Sequence, residues 1–547
     1  MFGLIQDRPL LISSLIAHAA RHHGATEIVS RDGESPLHRY TIRDAHARAR
    51  QLAKALARLG IASGDRVATL AWNSHRHLEF YYAVSGLGAI CHTVNPRLFH
   101  DQIVYIVNHA EDKAVFFDLA CREVVERLRP LCPTVRHWVA MADRASLASA
   151  AADTLCYEEL LAAETDDFAW PVFDERLASS LCYTSGTTGD PKGALYAHRS
   201  TVLHSYGTAL PDCLNLSARD VICPVVPMFH VNAWGLPYSA MLVGAKLVLP
   251  GAALDGKSLY DLFDAEQVTV SAGVPTVWFG LLRHLAEHRL RLSSLKRLVI
   301  GGSACPPAMI ERFEQDYGVE ILHAWGMTEM SPIGTFAQLK GKHRAADAAA
   351  LLALKSKQGR VIPGVDLKIV DGAGNELPWD GTSFGDLLVR GWWVAAGYYR
   401  AEGGSPLRDG WFPTGDVATI DADGYLQITD RSKDVIKSGG EWISSIELEN
   451  IAVAHPAVAE AAVVGVPHPK WGERPLLVVQ LKPGHAVERD ALLGFYRGRT
   501  AAWRIPSDVV LVDALPHTAT GKLLKAELRR RYADYRLPDV PETCRET

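Results

Sequence analysis

Between Tyr183 and Gly193 the chain reads YTSGTTGDPKG, which gathers the hydroxyls of Thr184, Ser185, Thr187 and Thr188 with the ammonium of Lys192. Gly186, Gly189 and Gly193 allow the backbone to bend and to approach a ligand closely. Successive free N–H groups, hydroxyls and a lysine make a cradle for a polyphosphate. The spacing is not that of a Walker A loop, which needs Gly-Lys-Ser/Thr where this chain has Pro191-Lys192-Gly193. Taken alone, such a stretch is also an ordinary surface turn, so its partners elsewhere in the chain decide its meaning.

Five further stretches carry chemistry. In HAWGMTEMSP, Glu329 follows Thr328 in an expected loop. Mg²⁺ takes one or two carboxylates together with phosphate oxygens, so a glutamate beside a phosphate cradle suits that ion. Trp325 offers a face on which a purine stacks; a solvated Glu329 and a core Trp325 are the plainer alternative. GGSACPP, from Gly301, leaves a strand through two glycines, as a close ligand approach requires. It is no nucleophile elbow, because Cys305 stands where the second glycine belongs. WFPTGD places Asp416 after a turn, where a carboxylate accepts two ribose hydroxyls. ITDRSKDVIKSGGEWIS packs Asp430, Arg431, Lys433, Asp434 and Lys437 before a double glycine, as a solvated face or a phosphate-facing hinge. PHTATGKLLK sets Lys522 in a turn near the end of the chain. His284 and His288, spaced i,i+4, share a helix face but lack an evident further ligand, and there is no HExxH.

These residues need a framework. A capping box at Thr41 and Asp44 starts one helix. RVATLAW, AICHTV, AVFFD and TVRHWVAM read as strands, with helices at residues 75–85 and 122–128 between them. Leu177 to Tyr183 reads as a buried strand running into the phosphate loop. VICPVV, KLVLP, VTVSAG and RLVIGG continue the pattern, with helices near 258–266 and 277–288. Strand and helix in alternation imply parallel sheet and an α/β class. From Gly359 the pattern changes to short strands and turns, and after Asp430 a mixed α and β pattern returns, with helices at 446–455 and 490–500. Residues 340–357 read as a surface helix.

The chain as a whole sets limits. Its 547 residues suggest several domains, and 48% hydrophobic with 22% charged residues is ordinary globular composition. A net charge of −5 gives no ground for a nucleic-acid partner. Nine cysteines without a CxxC pair argue against a disulfide framework and a cysteine zinc site. The N-terminus lacks a basic region ahead of its apolar part, so no signal peptide is expected and the cytoplasm is the expected compartment. Val221 to Ala245 is uncharged and long enough to span a bilayer, but Pro224, Pro227 and Pro237 argue for a buried, irregular site wall instead.

In order, YTSGTTGDPKG, PMFHVNAWG, GGSACP, WGMTE, TGD, DRSKDVIKSGGEWIS and TATGK resemble the acyl/aryl-CoA synthetases of the adenylate-forming superfamily over nearly the whole chain. HVNAWG and IKSGGEWISS look most like the medium- and long-chain fatty acyl-CoA synthetases and the methylmercaptopropionate–CoA ligases. The departures are small: Trp325 replaces a common tyrosine, and Gly385-Asp386 replaces Gly-Glu.

The resemblance implies a large N-terminal domain, residues 1–429, with a β-rich subdomain at about 359–429, and a small mobile C-terminal lid, 430–547, hinged at Asp430. ATP, Mg²⁺, coenzyme A and a small carboxylic acid are the implied ligands. Lys522 is expected to bridge carboxylate and α-phosphate, with Thr184 and Glu329 on Mg²⁺ and His230 beside the reacting groups. Ser185, Gly186, Thr187, Thr188, Gly189 and Lys192 are expected at the phosphates. Gly302, Ser303, Ala324, Trp325 and Thr328 join them in binding the nucleotide, and Asp416 holds the ribose. Arg431, Lys433, Lys437 and Trp442 are assigned to the same cofactors from the lid, Lys437 and Trp442 closing over adenine. Ser438, Gly439 and Gly440 are expected to come forward when the thiol enters, and Trp234 matches a gate on the acyl tunnel. Long-chain relatives suggest a homodimer. Four rivals stand beside this reading: an aryl-acid ligase, a free-standing carrier-loading enzyme, a luciferase-like oxygenase and a non-catalytic nucleotide sensor.

Overall fold

Runs such as RVATL, AVFF, RLVI and KLVL are apolar on both faces, as strands covered by helices on both sides must be. The computed structural model describes residues 1, 3–31, 37–147, 153–184, 190–402, 404–439, 441–517 and 523–538, apart from the side chains of Arg344 and Trp442. Packing divides the chain into two compact units, the larger comprising Met1–Thr184, Asp190–Asp366 and Val389–Phe412.

One sheet of the larger unit runs, in spatial order, Leu155–Cys156, His137–Ala140, Ala114–Phe117, Arg66–Leu70, Ile90–Thr93, Ala178–Tyr183 and Gly193–Ala197. Every neighbouring pair is parallel except the last, in which Tyr183 faces Gly193. In another sheet, Val221–Pro224, Val270–Gly273, Arg297–Ile300 and Glu320–Gly326 are parallel neighbours, and Ile333–Phe336 then pairs antiparallel with Glu320–Gly326. The two sheets therefore share a device. A parallel series ends in a strand that turns back on itself, and the reversing loop carries a motif: residues 184–192 in one sheet, 327–332 in the other. Loops at the carboxyl ends of parallel strands are where open α/β sheets bind ligands. Trp278, Phe263 and Phe313 fill the core under the second sheet, and Phe117, Val115 and Trp138 under the first.

In the second unit, Tyr425–Arg431 pairs antiparallel with Phe412–Ile420, followed in order by Phe384–Gly391 and Val365–Val370. A further sheet runs Glu441–Ile443, Ile436–Ser438, Gly472–Leu481, Val458–His468, with Asp508–Leu511 parallel to Gly472–Leu481. Its two faces bury separate clusters, one around Ile436, Leu448 and Tyr496, the other around Val464, Leu476 and Leu528. The packing division falls after Phe412, ahead of Asp430.

Local structure departs from the sequence expectations at several points. Asp416 lies within the strand Phe412–Ile420 rather than after a turn, because Phe412, Thr414 and Asp416 itself alternate into the interior, with Pro413 and Gly415 on the outer face. Glu329 lies in a 3₁₀ turn, Thr328–Met330, rather than an open loop. The expected helix over 340–357 is a 3₁₀ turn, Gly341–Ala345, and a helix, Ala348–Ser356, split where Asp347 caps the second piece. The helices expected at 446–455 and 490–500 are Ser445–Val453 and Arg489–Phe495. Val221–Ala245 is buried as expected, and holds a strand, a left-handed turn and the helix Leu236–Val243. Among the described residues no helix is long and apolar enough to cross a membrane. Among the described residues eight cysteines are buried as free thiols.

Candidate active site

The feet of the phosphate-type loop close on each other. Thr184 N donates to Lys192 O at 2.9 Å, and Lys192 N donates to Thr184 Oγ1 at 3.1 Å. Ser185, Gly186, Thr187, Thr188 and Gly189 lie outside the described residues. Gly193 is fixed by sterics: a Cβ there would sit 2.9 Å from Leu181 and 3.2 Å from Tyr399, whose N–H donates to Gly193 O at 2.8 Å. Tyr183, opening the loop, hydrogen-bonds His109 Nδ1 at 2.6 Å.

The second reversing loop is held as firmly. Tyr196 OH donates to Thr328 O at 2.5 Å, and Ala395 N to Glu329 O at 2.7 Å. Glu329 is 6% exposed, and its Oε1 accepts from Tyr398 OH at 2.5 Å. The Lys192 ammonium stands 5.0 Å from the centroid of that same tyrosine ring. Tyr398 thus touches both the loop lysine and the motif glutamate, which are distant in sequence. Burial pushes the Tyr398 phenol well up, and Glu329 adds to this, so it stays a donor. Sequence reasoning missed Tyr398; the signal was the GYYR stretch, Gly397 to Arg400, within the β-rich segment. Among the described residues Glu329 has no ion-pair partner. A nearly buried carboxylate without a cation is expensive, which suits a site for one.

Trp325 is 8% exposed and packs on Gly334, where a Cβ would lie 2.9 Å from its ring. Ala324 is buried beside it, whereas Gly302 and Ser303 are exposed. A Cβ on Gly301 would lie 2.9 Å from Ala324 O and 3.3 Å from Trp234 Cη2, so the glycine run meets both neighbouring motifs. Burial pushes the Cys305 thiol up, which keeps it out of nucleophilic chemistry.

The stretch PVVPMFHVNAWG is pinned from below. Asn73 Nδ2 donates to Pro224 O and Val226 O, its Oδ1 accepts from Met228 N at 2.6 Å, and Tyr81 OH donates to Met228 O. His230 is half-buried. The next residues wind the wrong way: φ is +46° at Val231, +51° at Asn232, +50° at Ala233, +55° at Trp234 and +78° at Gly235. Left-handed backbone costs a residue other than glycine about 1–2 kcal/mol, and β-branched Val231 is an outlier there. Gly235 is required because a Cβ would strike the His204 ring at 2.8 Å. His204 is buried, which holds its pKa down to about 3 and keeps it neutral, and its Nε2 accepts from Ile333 N at 3.3 Å.

In the second unit, Asp416 is 3% exposed and pairs with Arg431 Nε at 2.8 Å. Lys433 and Lys437 are exposed, and Ser438 is buried with Arg474 donating to its Oγ. Gly439 has φ +63°, and a Cβ there would strike the Trp471 ring at 2.7 Å. Lys522, Gly440 and the Trp442 side chain lie outside the described residues. Asp430 is fully buried: its Oδ2 accepts from Ser445 N at 2.5 Å and Ser445 Oγ at 2.6 Å. Ser445 Oγ in turn accepts from Lys525 Nζ, which is 2.7 Å from Glu449 Oε1. His284 and His288 stand with ring centroids 4.4 Å apart, and among the described residues no group of three or more metal-ligating side chains gathers.

Residues 15–399 match the family described as AMP-binding enzyme, and residues 447–522 match the AMP-binding enzyme C-terminal domain. The 3-methylmercaptopropionyl-CoA ligase of Ruegeria lacuscaerulensis is 55% identical over 535 residues, spanning 98% of this chain and 99% of that protein. The medium-chain-fatty-acid–CoA ligase of Ectopseudomonas oleovorans is 52% identical over 545 residues, spanning 100% of both. Among solved structures, the anthranilate CoA ligase AuaEII in complex with anthranoyl-AMP superposes with a TM-score of 0.84 at 26% identity, covering 96% of this chain and 98% of that one.

Proposed function

We propose, from the premise that this chain belongs to the AMP-binding enzyme family and is an ATP-dependent, AMP-forming acid–CoA ligase, that its acid is a medium-chain fatty acid or a small aliphatic acid such as methylmercaptopropionate. The observation that carries the site assignment is Tyr398, which touches Lys192 and Glu329 at once. It favours reading the two motifs as one phosphate and metal site. The acid assignment is favoured by the apolar character of the stretch read as the acid's wall: Met228, Phe229, Val231 and Trp234 are all buried.

In the first half-reaction a carboxylate oxygen of the acid attacks the α-phosphorus of ATP. The bond to the β-phosphate oxygen breaks and pyrophosphate leaves. Thr184, Ser185, Gly186, Thr187, Thr188, Gly189 and Lys192 hold the phosphates. Lys522 meets the charge that develops between carboxylate and α-phosphate, the kind of term that is usually largest in catalysis. Glu329 and Thr184 would hold Mg²⁺, which neutralises phosphate charge when bound. Gly302, Ser303, Ala324, Trp325 and Thr328 place the base, Asp416 the ribose, and Arg431, Lys433, Lys437 and Trp442 complete the nucleotide contacts. His230 orients the acid, and Trp234 gates its chain. In the second half-reaction the CoA thiol, having lost its proton, attacks the acyl carbon and AMP departs. Ser438, Gly439 and Gly440 then replace Lys522, by rotation of residues 430–547 about Asp430. The cytoplasm and a homodimer remain part of the proposal.

The test is a panel of acids with ATP and CoA, reading AMP and thioester. Octanoate and 3-methylthiopropionate are expected to be turned over well ahead of benzoate. Preference for benzoate would support the aryl-acid rival, and acyl-adenylate that persists in CoA would support the carrier-loading rival.

A further inference from the structure

The left-handed turn from Val231 to Trp234 has to be held against its own backbone preference. Its one polar side chain, Asn232, is 3% exposed and points away from solvent. Asn232 Nδ2 donates to Ser180 Oγ at 3.0 Å, and Asn232 Oδ1 accepts from Cys182 Sγ at 3.5 Å. The Cys182 thiol, pushed up to about 11 by burial, stays protonated and able to donate. Ser180 and Cys182 are alternate residues of Ala178–Tyr183, the strand that runs directly into the phosphate loop. The next residue but one after Asn232 is Trp234, whose ring tip reaches the glycine run at Gly301.

We infer that Asn232 is a positioning residue. It clamps the strained turn onto the strand that carries the phosphate loop, and so fixes Trp234 and the acid pocket in register with the phosphates. Asn232 touches no reacting atom in this account, and the inference rests on the acid-pocket reading proposed above. The chemistry fits the task. An asparagine presents a donor and an acceptor to two neighbouring groups without bringing a charge into the interior. Asparagine also tolerates left-handed backbone better than most residues.

The test uses acid-dependent pyrophosphate exchange with butanoate, octanoate and dodecanoate, on wild type, Asn232→Ala and the double variant Asn232→Ala with Ala233→Gly. Asn232→Ala is expected to lower kcat/KM for the preferred acid about tenfold or more, since misplacement of a reacting group is costly. It should flatten the preference among the three acids, while KM for ATP stays within about twofold. Ala233→Gly removes a left-handed Cβ, so the double variant is expected to melt higher than Asn232→Ala and to recover acid kcat/KM. A lowered melting temperature with unchanged acid selectivity would overturn the inference, because Asn232 would then be structural only. Failure of Ala233→Gly to restore the acid terms would also overturn it, since loss of a direct substrate contact cannot be repaired through the backbone. Wild-type protein without exchange for any acid overturns the ligase reading itself, whereas the melting temperatures still judge the clamp.

Discussion

Two buried polar clasps hold this molecule in opposite ways. In the larger unit, Asn232 binds Ser180 and Cys182 and keeps an unfavourable left-handed turn in place with neutral hydrogen bonds. In the second unit, Asp430, Ser445, Lys525 and Glu449 form a charged chain around regular backbone: a strand end, a helix start and the helix Lys525–Arg531. The first clasp stabilises a conformation; the second joins elements that are each stable in shape already. Neutral groups suffice where the task is to fix φ and ψ. Buried charges make the joint intolerant of losing one partner, because the survivor is left unpaired. The difference predicts where damage appears: in selectivity for the first, in stability for the second.

Lys525→Met should break the charged clasp and give the largest effect, about 3–5 kcal/mol of stability at neutral pH. Burial already pushes the Glu449 carboxyl up against the pull of Lys525, and without the ammonium it rises further. A group whose folded pKa is raised contributes most below its unfolded pKa and loses that contribution as pH rises. The deficit of the variant should therefore shrink on acidification from neutral pH, which denaturant titrations at several pH values would check. A deficit independent of pH would count against Glu449 as the orphaned charge.

Lys522→Ala sharpens the same contrast from three residues away. Loss of one transition-state donor should slow adenylation roughly 10²–10³-fold. Stability should stay within about 0.5 kcal/mol of wild type. Thioester formation from supplied acyl-adenylate should largely survive. Pyrophosphate formation at the wild-type rate would remove Lys522 from the first half-reaction.

Tyr398→Phe takes one donor from Glu329 and leaves the ring beneath Lys192. Groups that orient a metal-ligating carboxylate typically matter by about 10–100-fold, so the Mg²⁺ requirement should rise by about tenfold. An unchanged Mg²⁺ titration would return Tyr398 and Glu329 to a purely structural pairing. The smallest effect belongs to Ala233→Gly alone. Relief of one left-handed Cβ, offset by the greater chain entropy of glycine, should stabilise by up to about 1 kcal/mol. Destabilisation would mean the turn is not strained.

Much of this was legible in the residues. Strand and helix alternation, the loop-strand at Tyr183 and the Thr41 capping box all follow from local periodicity and short-range hydrogen bonds. What stayed hidden depends on packing between distant segments. Tyr398 reads as one tyrosine among many until Ala395 N ties its loop to Glu329 O. Asp416 reads as a turn residue after Gly415, but cross-strand pairing with Arg431 extends the strand through it. The left-handed turn has no local signature beyond Asn232 and Gly235, because Val231, Ala233 and Trp234 favour other conformations. The helix expected over residues 340–357 fails at Asp347, whose side chain accepts from Ala350 N and begins a new helix.

The central claim is that a carboxylic acid is activated on the α-phosphorus of ATP before CoA takes part. It is tested most directly by labelled pyrophosphate exchange into ATP without CoA, with octanoate or 3-methylthiopropionate present or omitted. Exchange is expected to require the acid, and AMP and thioester are expected to form once CoA is added. Exchange that proceeds equally without acid, or appears only after CoA is supplied, would contradict the claim.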